Sequence, residues 1–239
     1  MAPGSPAALG ARLFVLALLA GCAGEPAAVS SWGTLDVMGP EQGFSVAPLP
    51  VDWAALGGRI EDHLAVVDRD GVPALKVSSG DETFAVVRRT EAVLLATPYL
   101  SWAWSVEPHG APVHPVRLVV GFRGGAGKRA TVAGGAPPWR SAGLPPYDRA
   151  LAIGWGRSAL GRGSMTEPDV VGVAPLYTAR GGRENSGHWW LETVDLAALY
   201  AKAWPADDPA LARVAFIGFS AVGGESASAA YFSGIRLSR

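Results

Sequence analysis

Apolar and polar residues alternate strictly from Tyr99 to Val106, reading Tyr-Leu-Ser-Trp-Ala-Trp-Ser-Val. A period of two predicts a β-strand with Leu100, Trp102, Trp104 and Val106 on one face and Ser101, Ala103 and Ser105 on the other. Pro98 and Pro108 bracket it. Weaker alternation predicts a hairpin of Leu64 to Val67 against Ala74 to Val77, turned by Asp68-Arg69-Asp70-Gly71, where Asp-Gly is the turn signal. Further strands are expected at Phe84 to Arg88, Glu91 to Leu95, Arg117 to Phe122 and Ala150 to Trp155. The last four fall at Val170 to Tyr177, His188 to Val194, Val214 to Phe219 and Ala229 to Leu237.

One helix is predicted over Asp195 to Trp204. Asp195 caps it, Leu196, Leu199, Tyr200 and Ala203 form an apolar stripe, and Pro205 stops it. Phe44 to Trp53 is interrupted by proline and suits an edge strand or irregular cover. Arg123 to Pro146 reads as a long Gly/Pro-rich loop, pinned by Trp139. Many short strands, one helix and no βαβ rhythm predict an all-β fold: a two-sheet antiparallel β-sandwich of jelly-roll type with one short helix near the C-terminus. It is expected to form one domain over residues 44–239. The 31 Gly, 19 Pro and 9 Trp, with 17% charged residues, add turns and an aromatic core to that picture.

The N-terminus changes the setting. Arg12 precedes a short apolar run, Leu13 to Ala20, which ends in Leu19-Ala20-Gly21-Cys22. The run is too short to span a bilayer and reads as a signal-peptide core. Its end resembles the bacterial lipobox, in which the cysteine is lipidated and becomes the first residue. The expected organisation is a lipoprotein signal peptide over 1–21 and a lipidated tether over 22–43, ahead of the sandwich. Cys22 is the one cysteine, so no internal disulfide and no cysteine-based metal site are expected. Lipid on Cys22 would attach the protein to a membrane. Ala23 follows where an aspartate would signal inner-membrane retention, so the expectation is an outer-membrane lipoprotein, periplasmic or surface-facing. A net charge of −1 gives no reason to expect nucleic acid as a partner.

Six segments taken together resemble a bacterial family. They are Leu100 to Trp104, Arg117 to Phe122, Leu144 to Tyr147, Ala150 to Gly156, Gly187 to Leu196 and Ala230 to Leu237. In order and spacing they are similar to the secreted domain-of-unknown-function family 3047, over roughly Phe44 to Arg239. The resemblance implies a β-sandwich similar to carbohydrate-binding jelly rolls, and nothing catalytic. The chain departs from that family twice. Pro112-Val113-His114-Pro115-Val116 and Ser220-Ala221-Val222-Gly223-Gly224-Glu225 stand where family members usually carry acids. A site or cation served by those acids would be lost here.

The candidate chemistry is aromatic. Trp102 and Trp104 offer a sugar-stacking platform, although two same-face indoles on a central strand favour a place in the core. Trp155, between two glycines at a strand end, Trp189, Tyr147 and Arg117 complete the candidate ligand-binding set. Arg117 is equally read as a structural partner of Glu192. Gly154 to Ala159 matches the dinucleotide fingerprint but no helix can follow it, and Gly121 to Arg129 lacks the P-loop spacing and hydroxyl. Ser158 and Ser220 lack the last glycine of a nucleophile elbow. His63, His109, His114 and His188 show no metal-ligand spacing, so no metal or cofactor is expected. Glu107, Asp148, Glu184 and Glu192 show no pairing of the kind that glycoside cleavage uses. The expectation is a non-catalytic module for glycan or another envelope component. The alternatives are an assembly lipoprotein that binds a protein partner, and a polysaccharide hydrolase or lyase that uses Arg117 and Glu192.

Overall fold

The computed structural model describes residues 26–39, 44–126, 143–167 and 173–239. Among these, thirteen strands and two short helices follow the chain. The strands are β1 (Thr34–Asp36), β2 (Trp53–Leu56), β3 (Leu64–Arg69), β4 (Val72–Ser78), β5 (Phe84–Val93), β6 (Tyr99–Val106) and β7 (Val116–Arg123), then β8 (Arg149–Gly156), β9 (Met165–Thr166), β10 (Leu176–Gly181), β11 (Trp190–Asp195), β12 (Arg213–Ala221) and β13 (Ala229–Ser238). The helices are α1 (Ile60–His63) and α2 (Leu196–Ala203). A six-stranded sheet runs β11-β6-β13-β4-β3, with β1 added against β13. A seven-stranded sheet runs β2-β5-β12-β7-β8-β10-β9. The two pack face to face as the expected sandwich of jelly-roll type.

The local signals work as the sequence suggests. Leu100, Trp102, Trp104 and Val106 on β6 are all fully buried between the sheets. Asp70 and Gly71 both take positive φ (57° and 79°), which closes the β3–β4 hairpin, and the Gly71 N–H donates to the Asp68 carboxylate at 2.9 Å. Asp195 caps α2 by accepting from the Ala198 N–H at 2.9 Å. Tyr200 of α2 and Arg149 both bind Asp207, at 3.1 Å and 2.8 Å, which fastens the helix to β8.

Three expectations change, and others fall outside the described residues. The two strands read at 84–88 and 91–95 are one strand, β5, because its polar middle is satisfied: Arg88 donates to Asp52 at 2.6 Å and Thr90 donates to the Val214 carbonyl at 2.6 Å. The segment read as tether supplies β1, and Leu35 and Val37 enter the core. The strand expected from Val170 lies at Leu176–Gly181, and β10 pairs with β8 in parallel, so the larger sheet is mixed rather than wholly antiparallel. The reading of a signal peptide and of Cys22 lies outside the described residues, as does most of the loop expected at 123–146, Trp139 included.

Bulges decide which side chains enter the core. On β12, Val214 pairs with Phe122 of β7, yet Phe216 pairs with Gly121, so β12 carries one extra residue there. Val214 and Ile217 point inward, while Ala215 and Phe216 join a cluster on the outer face. On β13 the register against β6 shifts between Ser233 and Arg236, at Gly234 with φ of 59°. That shift returns Ile235 and Leu237 to the interior.

Candidate functional site

The outer face of the seven-stranded sheet carries a cleft. Its floor includes small residues, Ala85 on β5 and Ala150 and Ala152 on β8, two strands that flank β12 and β7. Small side chains let larger ones lie flat. A Cβ on Gly121 would stand 2.2 Å from the Phe216 ring, so the ring can cross the strand there only over a glycine. The Arg117 stem also passes Gly154, in ordinary contact, its Cγ 3.7 Å from where a Cβ would be. Tyr147 reaches back over the sheet and meets Phe216 edge to face, with ring centroids 5.2 Å apart.

These residues enclose a cleft of about 50 Å3, lined by Arg117, Leu144, Tyr147, Phe216, Ser220 and Val222 above the small floor. Arg117 is the one charged side chain among the described lining residues. Its Nε is buried and has no hydrogen-bond partner. Burial lowers its pKa from the ordinary value, but a guanidinium remains charged at any physiological pH. A buried donor without an acceptor costs stability unless something fills the role. The cleft therefore joins an apolar surface to one directional donor.

The structure separates the six candidate side chains. Tyr147 and Arg117 line this cleft. Trp102, Trp104 and Trp155 do not reach a surface: each is fully buried, and Trp104 packs edge to face against both Trp102 (5.6 Å) and Trp155 (5.3 Å). Trp155 shares its face with Leu151 and Ile153, so the alternation of β8 turns it inward despite its place at a strand end. Trp189 is half-buried on the outer face of the six-stranded sheet, where its indole donates to the Arg69 carbonyl at 3.2 Å. It lies beside Tyr231 and Ala74 and takes no part in the cleft. Phe216 and Ser220 also line the cleft, and the sequence does not single Phe216 out for it, because a bulge that leaves no trace in the local pattern re-aims it.

Glu192 is not the partner of Arg117. It is buried on β11 in the other sheet, held by Arg162 at 2.8 Å and Arg180 at 2.5 Å, while the Arg180 guanidinium stacks 3.8 Å above Trp190. The remaining acids are dispersed: Glu107 accepts from Tyr231 at 2.6 Å, and Asp148 accepts from the Gly124 N–H at 2.6 Å. His114 is fully buried and bonded to the Ser228 hydroxyl at 3.0 Å through Nε2. Its Nδ1 stands 3.1 Å from the Val116 nitrogen and 3.3 Å from the Val116 carbonyl oxygen. Burial, aided by the neighbouring His109, pushes its pKa down to about 4. No group of three or more His, Cys, Asp or Glu suited to a metal occurs among the described residues.

The chain belongs to the family described as protein of unknown function (DUF3047), whose profile matches residues 53–235. No curated protein matches it. Among solved structures it is similar to the family 11 carbohydrate-binding module of a Clostridium thermocellum cellulosomal cellulase, with a TM-score of 0.36 and 8% identity over 78% of this chain and 86% of that one. A family 30 carbohydrate-binding module of another cellulosomal cellulase from Clostridium thermocellum gives 0.38 and 14% over 76% and 85%. Endoglucanase 3 of Trichoderma harzianum, from family GH12, gives 0.38 and 9% over 89% and 93%. What those proteins bind or cleave does not carry over to this chain.

Proposed function

We propose that this protein is a non-catalytic binding module that holds a glycan in the cleft on the outer face of its larger sheet. The observation that carries the reading is the pairing of an apolar, small-residue floor with the unpartnered Nε of Arg117. A pyranose ring offers the matching surfaces, a C–H face for the floor and hydroxyl oxygens for the guanidinium and for Ser220. The free volume of about 50 Å3 suits a ring edge or a single substituent, with the rest of the ligand along the open side. The described lining residues bring no carboxylate to the cleft, and cleavage of a glycosidic bond uses two, which favours binding over hydrolysis. The Leu19-Ala20-Gly21-Cys22 run supports a lipid anchor on Cys22 and a place at the outer membrane, in the periplasm or at the surface.

Calorimetric titration with a panel of envelope and plant polysaccharides tests the reading. Calorimetry is the right readout, since Trp102, Trp104 and Trp155 are sealed in the core and do not report on the cleft. The expected result is saturable binding of one glycan class, weakened about tenfold or more in Arg117→Gln, the loss expected for one charge-assisted hydrogen bond, with an unchanged melting temperature. No saturable binding across the panel would overturn it and point to a protein partner.

A further inference from the structure

A second concavity lies at the end of the sandwich where β8 and β10 leave the larger sheet. The two strands are parallel, so the residues that follow them, Arg157 and Arg183, emerge at the same end. The connection from β6 to β7 closes over them: Val113 bridges to Gly156, and the His114 N–H donates to the Trp155 carbonyl at 2.9 Å. His109, Gly110, Ala111, Arg157, Arg183 and Ser186 then line a pocket of about 230 Å3.

Arg59, Arg88, Arg123, Arg149, Arg162 and Arg180 each hold a carboxylate within 3.6 Å. Arg89, Arg117, Arg213, Arg236 and Arg239 form no ion pair among the described residues, and neither do Arg157 and Arg183, the two exposed arginines that line this one pocket. The pocket lining contains no acid. The nearest acid in sequence, Glu184, turns instead toward Gly182, whose φ of 92° favours glycine. His109 supplies a third group. Its ring packs edge to face on His114 at 4.8 Å, and its Nδ1 is buried without a hydrogen-bond partner. Two guanidiniums with no ion pair among the described residues and the His109 imidazole around one concavity offer the donors that an oxyanion accepts from.

We infer that this pocket binds the oxyanion group of the ligand, a carboxylate, sulfate ester or phosphate, so that the glycan is an acidic polysaccharide. The inference rests on the glycan reading above and deepens it. Bidentate guanidinium contacts fix the anion, while the Ser186 hydroxyl donates to the Arg183 carbonyl at 2.6 Å and holds that loop in place. Burial holds the His109 pKa below the ordinary histidine value. A bound anion raises it by favouring the charged ring.

The experiment uses the full chain in detergent, labelled with 15N-histidine, because only four imidazoles contribute signals. Sodium sulfate, sodium phosphate and sodium galacturonate are titrated separately, to distinguish the three oxyanion sources. The expected result is a saturable shift of the His109 resonances with at least one of them, lost in the Arg157→Gln/Arg183→Gln double variant. In calorimetry, an acidic oligosaccharide should bind about tenfold tighter than its neutral counterpart, the advantage vanishing in the double variant and shrinking with added salt. His109 resonances that ignore all three anions overturn the inference, as does an acidic preference that survives the double substitution. A His109 shift with sulfate alongside no binding of any oligosaccharide sustains the oxyanion pocket and sinks the glycan reading instead.

Discussion

The two faces of the seven-stranded sheet are made by the same strands, yet one is packed shut and the other holds a cleft. Inward, β5, β7, β8 and β12 present Phe84, Phe122, Trp155 and Phe219, none more than 1% exposed. Outward, the residues alongside are Ala85, Gly121, Gly154 and Ser220, with Phe216 and Arg117 lying across the glycines. Large side chains interdigitate with the opposite sheet and exclude water. Small ones leave depth that a few larger residues rim but do not fill. Alternation alone gives a sheet two faces; side-chain size determines which is packed shut and which holds a cleft.

The comparison can be broken first from the inside. Trp104 touches Trp102, Trp155 and Phe232, so Trp104→Ala leaves a cavity at the centre of the sandwich. It should cost ~3–5 kcal/mol, read by denaturant unfolding. A loss similar to that of an exposed substitution would show that the interior is not packed as described.

The interior also sets the response to acid. His114 is neutral and doubly hydrogen-bonded when folded, with its pKa pushed down to about 4. A base whose folded pKa is depressed makes the unfolded chain bind more protons between the two values. Its contribution is therefore fully present above the ordinary histidine pKa near 6.5 and is lost as pH falls from there towards 4, by ~3 kcal/mol in all. Unfolding free energies across that range check this, and His114→Gln should flatten the slope.

The smallest of these effects comes from the outer face. Gly121→Val places a side chain under the Phe216 ring and should cost ~1–3 kcal/mol by overpacking. It should also displace Phe216 and weaken ligand binding far more than Trp104→Ala does in the fraction that remains folded. Equal losses of binding in the two variants would remove the distinction between the faces.

Much of this architecture is legible in the chain. The β6 faces, the Asp-Gly hairpin and the Asp195-capped helix each rest on interactions within a few residues, and each takes its expected form. Trp155 was open to two readings because a tryptophan at a strand end suits a core or a surface equally, and only the opposite sheet decides. The length of β5 was hidden because Arg89 and Thr90 read as a break until the Val214 carbonyl is brought to Thr90. A partnership of Arg117 with Glu192 seemed natural from charge alone, but the two stand on different sheets.

By itself the sequence determined the class of the fold, the strand that centres it and the family to which it belongs, because period, turn chemistry and capping act over short distances. Only the tertiary structure decided which aromatic residues are sealed and which arginines lack a carboxylate. It also decided that Tyr147, Phe216 and Arg117 meet over a floor of alanine and glycine. Those outcomes depend on a one-residue bulge in β12 and on the parallel pairing of β8 with β10. Both are set by partners distant in the chain, and no local pattern encodes a distant partner.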